Sequence, residues 1–221
     1  MPPTLIYCYD AYCGWCYGFS RVMEQVAIQY RDQIALEVLS GGLLISDIPQ
    51  PIQKMAPYIE KSYRVVEDRT GIRFGKDFLW HIHHPQESDW ILSSEKAAIA
   101  LCIFKEIRPE NQVAFASSLQ YALYHQGRDL CDDQAYPSVL MPFTIPKEEF
   151  LEKLHDPDYK AKAYLEFEYC KRLQVSGFPA LFLQTGDNIF YTIANGYTEY
   201  EIIRQRLDNL LLSQNLLKAS L

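Results

Sequence analysis

A small α/β sheet split by a long helical segment is the fold that the sequence predicts, and three observations support it. The first 45 residues carry the pattern of a strand, a helix and a second strand. Helical spacing of apolar residues then dominates for roughly 120 residues. Two short apolar runs and an amphipathic run close the chain. This order predicts a mixed sheet flanked by helices, with an all-helical domain inserted into it.

The front of the chain predicts a crossover unit. Residues 5–9, LIYCY, form a short apolar and aromatic run that suits a buried strand. Residues 13–31 carry apolar side chains every three or four positions, which indicates an amphipathic helix. Residues 35–45 alternate at first and then reach two glycines, which suits a strand ending in a bend. We therefore expect two parallel strands joined by a helix.

The middle of the chain has several segments with helical spacing. They cover residues 52–69, 93–107, 109–124 and 147–173, the last with a break at Asp156-Pro157. Residues 71–90 carry two tryptophans and three of the five histidines. Because this stretch shows no clear period, we expect it to be irregular.

The back of the chain returns to strand character. Residues 180–184 and 189–193 are apolar runs, and residues 185–188 between them have the composition of a hairpin turn. Residues 198–212 predict a last helix with glutamates in its first turn.

The domain organisation follows from this order of elements. Residues 1–46 and 172–221 are assigned to one discontinuous α/β domain, and residues 47–171 to the inserted helical domain. The sequence contains no internal repeat, and no low-complexity linker lies between the two predicted domains.

Composition excludes some classes of function. The net charge is -7, the isoelectric point is near 5.3, and no cluster of lysines and arginines occurs, which argues against nucleic-acid binding. No apolar stretch approaches the length of a membrane span. The N-terminus lacks the pattern of a signal peptide, and we therefore expect a cytoplasmic protein.

The six cysteines include one close pair. They lie at positions 8, 13, 16, 102, 131 and 170, a spacing that does not suit a scaffold held by disulfides. In a reducing compartment, Cys8, Cys102, Cys131 and Cys170 are interpreted as buried or partly buried free thiols.

The close pair, Cys13 and Cys16 in the motif CGWC, stands at the predicted start of a helix. Residues three apart lie on one face of a helix, close enough to form a disulfide. The free N–H groups and the dipole at this helix end favour a thiolate, which makes Cys13 the expected nucleophile. Cys16, one turn further in, would be the resolving thiol.

A metal site is the competing interpretation of this motif. Structural zinc usually needs a second pair of ligands at short spacing. The nearest candidates are His81, His83 and His84 in the segment HIHH, and no second Cys-x-x-Cys exists. We therefore expect redox chemistry and no metal.

Two motifs carry a resemblance to a known family. They are DAYCGWC at residues 10–16 and VSGFP at residues 175–179. With them in this order, the chain resembles the DsbA-like thioredoxin-fold family over its whole length, and within it the cytoplasmic FrnE-type branch of protein disulfide oxidoreductases. The resemblance implies a thioredoxin-like fold, thiol–disulfide exchange through Cys13 and Cys16, and a cis proline at Pro179 facing the dithiol.

The same resemblance implies a substrate-binding region. Phe178 and Pro179 would border a groove for an extended substrate, because a proline has no N–H and leaves the neighbouring backbone free to pair with it. Gly14 and Trp15 would form the edge beside Cys13, although Trp15 could instead pack on the inserted domain. The alternative for Pro179 is a residue that merely starts a buried strand.

Asp10 lies three residues before Cys13. Its carboxylate could modulate the ionisation of the thiols, or it could cap the helix N-terminus. The family's oxidising periplasmic members have Pro-His between the cysteines, where this chain has Gly14-Trp15, and so the direction of electron flow stays open.

Other classes of function also stay open. Kappa-class glutathione transferases and 2-hydroxychromene-2-carboxylate isomerases are similar in outline but have a serine where Cys13 stands. Some DsbA-like proteins act as redox-sensing adaptors. We expect protein, peptide or small-molecule thiols and disulfides as partners, no cofactor, and glutathione as a candidate co-substrate.

Overall fold

The computed structural model describes residues 3–48 and 50–213 of the chain. The predicted domain ranges also include residues 1–2, 49 and 214–221, which lie outside the described residues. The strands are β1 (Thr4–Tyr9), β2 (Ala35–Ser40), β3 (Gln50–Pro51), β4 (Ile91–Leu92), β5 (Ala180–Gly186) and β6 (Ile189–Asn195). The helices are α1 (Gly14–Tyr30), α2 (Ile52–Thr70), α3 (Lys76–His83), α4 (Glu95–Ile107), α5 (Gln112–Tyr124), α6 (Tyr136–Leu140), α7 (Lys147–Lys153), α8 (Pro157–Arg172) and α9 (Tyr200–Ser213).

The main sheet is mixed, as the sequence predicts. Within the described residues it has four strands in the order β2-β1-β5-β6. Strands β1 and β2 run parallel and are joined through α1, whereas β5 is antiparallel to both β1 and β6. The thioredoxin-like fold class is therefore confirmed, with the helices α2 to α8 lying between its two halves along the chain. The boundaries of the two domains stay a prediction.

Strand β1 is buried on both faces, which explains its continuous apolar run. Leu5 and Tyr7 point into the larger core with α1, and Ile6 and Cys8 point into a smaller core on the other face of the sheet. The smaller core also contains Cys170 from the end of α8. The strand therefore lies between two helical layers.

An ion cluster, mostly buried at Lys105 and Glu166 and exposed at Glu37, joins the helical segment to the sheet. The Lys105 ammonium of α4 contacts the carboxylates of Glu37 in β2 and Glu166 in α8. It also donates to the backbone oxygen of Val38, and the N–H of Ser40 donates to Glu166. Helices α4 and α8 of the insertion are thus both attached to the edge strand β2.

Residues 71–90 are more regular than predicted. The structure places α3 at Lys76–His83 within this segment, with Phe78 and Ile82 buried one turn apart. A helix of eight residues has only two buried positions and few strong helix formers, so packing rather than local propensity determines it. The prediction of an irregular segment was wrong at this place.

The turn between β5 and β6 is shorter than the predicted residues 185–188. Both strands extend further, so that only Asp187 and Asn188 separate them. Neither Asp187 nor Asn188 has the positive φ of a type I′ turn, and the register of the two strands shifts between Gln184 and Gly186 beside the turn.

The remaining cysteines agree with the sequence prediction. Cys8, Cys102 and Cys170 are buried free thiols, and Cys131 is a half-buried one. None of the helices in the described part of the chain is long and apolar enough to cross a membrane.

Candidate active site

The two cysteines of the CGWC motif lie at the start of α1. Cys13 is the N-cap residue, in an extended conformation, and its Sγ accepts the N–H of Cys16 at 3.3 Å. The cap is therefore the thiol itself, and the prediction that Asp10 could cap this helix was wrong. Cys13 is 7% exposed and Cys16 is fully buried, which gives the two sulfurs different access to solvent.

The Cys13 thiol faces the loop that contains Phe178 and Pro179 and leads into β5. The Phe178-Pro179 peptide bond is cis, as the resemblance implied. The Cys13 Sγ donates to the carbonyl oxygen of Phe178 at 3.4 Å. Gly41, at the end of β2, allows this arrangement, because a Cβ there would stand 1.9 Å from the Phe178 ring. The sequence does not predict that Gly41 makes room for the Phe178 ring, because two adjacent glycines indicate only a bend in the chain.

Asp10 is almost fully buried between β1 and the dithiol. Its carboxylate accepts the backbone N–H groups of Tyr12 and Leu43, at 2.9 and 2.8 Å, and the hydroxyl of Ser94 at 2.8 Å. Burial raises the pKa of Asp10, and these hydrogen bonds oppose the rise. The carboxylate thereby joins three separate segments of chain around the start of α1.

The surroundings of Cys16 favour the protonated, neutral form of its thiol. Burial raises the pKa of the Cys16 thiol well above its usual range, and the hydrogen bond with Cys13 and the charge of Asp10 act in the same direction. The backbone of Asp10 opposes this shift through a hydrogen bond. Cys16 is therefore a poor nucleophile until its proton is removed.

A cavity of about 320 Å³ opens beside Cys13. Gly14 and Trp15 line it together with the apolar face of α2, including Met55 and Ile59. Aromatic side chains form another part of its wall, where Phe74 meets Tyr124 edge to face at 5.1 Å and lies tilted against Phe78 at 5.8 Å. The contribution of α2 has no signal in the sequence, because its residues are far from both motifs.

A second groove, of about 420 Å³, lies on the proline side of Trp15. Trp15 and Tyr197 pack here with ring centroids 6.4 Å apart, and Phe178 and Arg69 border the opening. Trp15 thus stands between the cavity and the groove. It lies beside Cys13 and shares the lining of both openings with residues of α2, while its ring packs on Tyr197 rather than on an aromatic ring of the insertion.

The histidines of HIHH lie away from the dithiol. His81 stacks on Trp90 at 3.8 Å and shares a hydrogen bond with Ser88, and burial lowers its pKa. His83 packs against Tyr63. None of the three histidines lines the cavity or the groove. The residues that the structure describes contain no cluster of three or more His, Cys, Asp or Glu side chains arranged for a metal ion.

The chain is similar to a known domain family along most of its length. The model of a DSBA-like thioredoxin domain matches residues 4–208. No curated protein sequence matches the chain.

Several solved structures have the same fold. A candidate protein disulfide isomerase from Nitrosomonas europaea is 26% identical, with a TM-score of 0.83 over 97% of this chain and 99% of that one. The cytosolic disulfide reductase DsbM from Pseudomonas aeruginosa is 22% identical, with a TM-score of 0.76 over 95% and 99%, and has also been solved with GSH. A 2-hydroxychromene-2-carboxylate isomerase is 10% identical, with a TM-score of 0.64 over 97% and 100%.

Proposed function

The chain belongs to the DSBA-like thioredoxin domain family, and we propose that it is a thiol–disulfide oxidoreductase whose reactive couple is Cys13 and Cys16. One observation carries the proposal. The Cys13 sulfur caps α1, accepts the N–H of Cys16, and faces the backbone carbonyl before a cis proline. A sulfur at a helix N-terminus is placed to react as a thiolate.

The exchange runs in two steps. The Cys13 thiolate attacks one sulfur of a substrate disulfide, forms a mixed disulfide, and releases a thiolate that takes a proton from water. Cys16 then loses its proton and attacks the Cys13 sulfur, which releases the second substrate thiol and leaves the Cys13–Cys16 disulfide. Two external thiols reduce this disulfide again. The reverse sequence oxidises a substrate dithiol with the same residues.

The unequal burial of the two sulfurs assigns their roles. A substrate can approach the Cys13 sulfur through the cavity, whereas Cys16 has no contact with solvent. The raised pKa of Cys16 keeps this thiol protonated until the mixed disulfide has formed. Cys13 is accordingly the attacking residue and Cys16 the resolving one.

Gly14, Trp15, Phe178 and Pro179 form the proposed substrate-binding region. Gly14 and Trp15 line the cavity, Trp15 and Phe178 border the groove, and Pro179 follows Phe178 through the cis peptide bond. Once Cys13 is in a mixed disulfide it no longer donates to the Phe178 carbonyl, which can then accept a hydrogen bond from a bound extended peptide. Protein or peptide disulfides are therefore substrates in this proposal, and disulfide isomerisation is the expected activity when exchange is reversible.

Asp10 is the proposed modulator of the dithiol. Its charge contributes to the raised pKa of Cys16, and its three hydrogen bonds fix the segment that precedes Cys13. It acts on the resolving thiol through position and charge, without touching a substrate.

Glutathione is a proposed co-substrate, and the cytoplasm is the proposed location. Support comes from the cytosolic Pseudomonas aeruginosa reductase, which has the same fold and has been solved with GSH. The groove beside Phe178 includes Arg69, whose guanidinium could pair with a carboxylate of such a thiol.

Trapping of the mixed disulfide tests the proposal. We expect the Cys16→Ser variant to accumulate a covalent adduct with a model peptide disulfide, visible by mass spectrometry and reversed by dithiothreitol. Cys13→Ser should lose exchange activity. The matched control is Cys131→Ser, since Cys131 is the one half-buried thiol among the described cysteines and the others are buried. Full activity in Cys13→Ser would overturn the proposal, and titration of the Cys13–Cys16 couple against glutathione would give the direction.

A further inference from the structure

We propose that the cavity beside Cys13 binds small uncharged disulfides with apolar, aromatic groups, and that this chain reduces such compounds in preference to charged ones. This inference rests on the proposed exchange function and adds the class of substrate. It concerns the cavity that residues of α1 and α2 line, and not the groove on the other side of Trp15.

The first argument is the absence of charge. Among the described residues that line the cavity, none has a charged side chain. Two of its polar groups are already engaged, since the Ser62 hydroxyl donates to the Ile59 carbonyl and the Tyr12 hydroxyl pairs with the Cys131 sulfur. A carboxylate or ammonium placed here would lose its hydration without gaining a counter-charge, which is strongly unfavourable.

The second argument is the shape and chemistry of the walls. The volume of about 320 Å³ is at the lower end of the range for small-molecule sites, roughly 300 to 1,000 Å³. Phe74 lies among Tyr17, Tyr63 and Tyr124 at centroid distances of 5.4, 5.9 and 5.1 Å, each edge to face. Aromatic ligands gain from such edge-to-face contacts in addition to their buried apolar area. A site with these walls suits one or two rings rather than an extended peptide.

The third argument is the position of the sulfur. Cys13 is one of the residues that line this cavity, so a disulfide bound there lies next to the residue that attacks it. The step balances as in the general exchange. Cys13 forms a bond to one substrate sulfur, the substrate S–S bond breaks, and Cys16 displaces the second thiol. The two electrons come from the dithiol, which external thiols then restore.

The groove beside Phe178 offers a separate path by which an external reducing thiol could reach the oxidised Cys13–Cys16 couple. It is bordered by Arg69 and Phe178, and Trp15 separates it from the cavity. An apolar substrate and an anionic thiol such as glutathione therefore need not compete for the same surface.

Two aromatic disulfides, one uncharged and one anionic, test the inference. The pre-reduced, full-length protein is mixed with 4,4′-dithiodipyridine, which is uncharged at neutral pH, or with 5,5′-dithiobis(2-nitrobenzoate), which carries two carboxylates. Each rate is divided by the rate of the same disulfide with dithiothreitol, which removes differences in leaving group. We expect the normalised rate to favour the uncharged compound by about tenfold or more, because the cavity cannot neutralise a carboxylate.

Variants of the cavity wall complete the test. Met55 is half-buried on α2, and Met55→Lys places a cation in the lining while Met55→Leu keeps it apolar. The lysine variant should lower the preference for the uncharged disulfide at least tenfold, and the leucine variant should keep it. Ile59→Lys gives the same comparison from the next turn if Met55→Lys does not fold.

The outcomes separate the two proposals. Equal normalised rates for both disulfides, unchanged in Met55→Lys and Ile59→Lys, would overturn the cavity assignment while leaving the exchange function intact. If neither disulfide reacts faster than in the Cys13→Ser variant, the exchange function itself fails.

Discussion

The Cys13 sulfur lies 3.4 Å from the carbonyl oxygen of Phe178, although 165 positions separate the two residues in the chain. This contact joins the N-terminus of α1 to the loop that starts β5. It brings the attacking sulfur next to the backbone that a substrate would contact, and so the geometry of the loop should control both stability and exchange.

Gly41→Ala tests the support of that loop. The new Cβ would stand 1.9 Å from the Phe178 ring, and the ring must move. We expect a loss of roughly 1–3 kcal/mol in the free energy of unfolding and slower disulfide exchange. Gly177→Ala is the matched control, because a Cβ there meets nothing within 4 Å. Urea denaturation and a peptide-disulfide assay measure both, and similar behaviour of the two variants would contradict the prediction.

The rate of resolution should depend on pH through Cys16. Because burial raises the pKa of this thiol, only a small and pH-dependent fraction is ionised near neutrality. We expect release of the second substrate thiol to accelerate about tenfold per pH unit between about 7 and 9, as the thiolate fraction rises. Stopped-flow measurement on the pre-formed mixed disulfide follows this step. A flat profile would show that the proton on Cys16 does not limit it.

Asp10→Ala should destabilise the protein. The substitution leaves the N–H groups of Tyr12 and Leu43 and the hydroxyl of Ser94 without their acceptor. We expect a loss of about 3 kcal/mol or more in the free energy of unfolding, since unsatisfied buried donors are costly. The exposed Asp68 of α2 supplies the control, and Asp68→Ala should leave the urea midpoint unchanged. Equal midpoints for both variants would argue against this role of Asp10.

Lys105→Met tests the ion cluster between the insertion and β2. Without the ammonium, the buried Glu166 carboxylate loses its counter-charge and Glu37 loses its partner. We expect a loss of roughly 3–5 kcal/mol, the usual effect of removing one member of a buried pair. Lys153→Met removes the surface pair with Glu149 and should have little effect. Comparison of the two denaturation curves decides whether burial of the pair matters.

Because of His81, the free energy of unfolding should fall when the pH is lowered. Burial lowers its pKa, so the unfolded chain takes up a proton before the folded one does. The contribution of His81 is therefore present above the unfolded pKa of about 6.5 and is lost as the pH falls towards the folded value. Denaturation curves at several pH values should show this loss, and His81→Phe should remove it while keeping the stack on Trp90. An NMR titration midpoint of His81 at or above about 6.5 would contradict the prediction.

Local patterns account for much of what could be predicted. The crossover of β1, α1 and β2, the hairpin of β5 and β6, and the break before α8 all follow from apolar spacing and turn residues close together in the chain. Helix α3 was missed because its eight residues contain little local signal, and only packing of Phe78 and Ile82 makes it a helix. The sequence left Asp10 open between capping α1 and modulating the thiols, and the structure gives the cap to Cys13, while the Asp10 carboxylate accepts from Tyr12 and Leu43.

The sequence by itself determined the pair of cysteines at a helix start, the succession of strands and helices along the chain, and, through resemblance, the cis bond before Pro179, because each depends on residues that are neighbours in the chain. Only the tertiary structure decided what surrounds the Cys13 sulfur. The Phe178 carbonyl, the space left by Gly41, and the uncharged cavity built by α2 and Tyr124 come from distant segments. Their approach depends on how whole helices pack against the sheet, and no local pattern of residues specifies that packing.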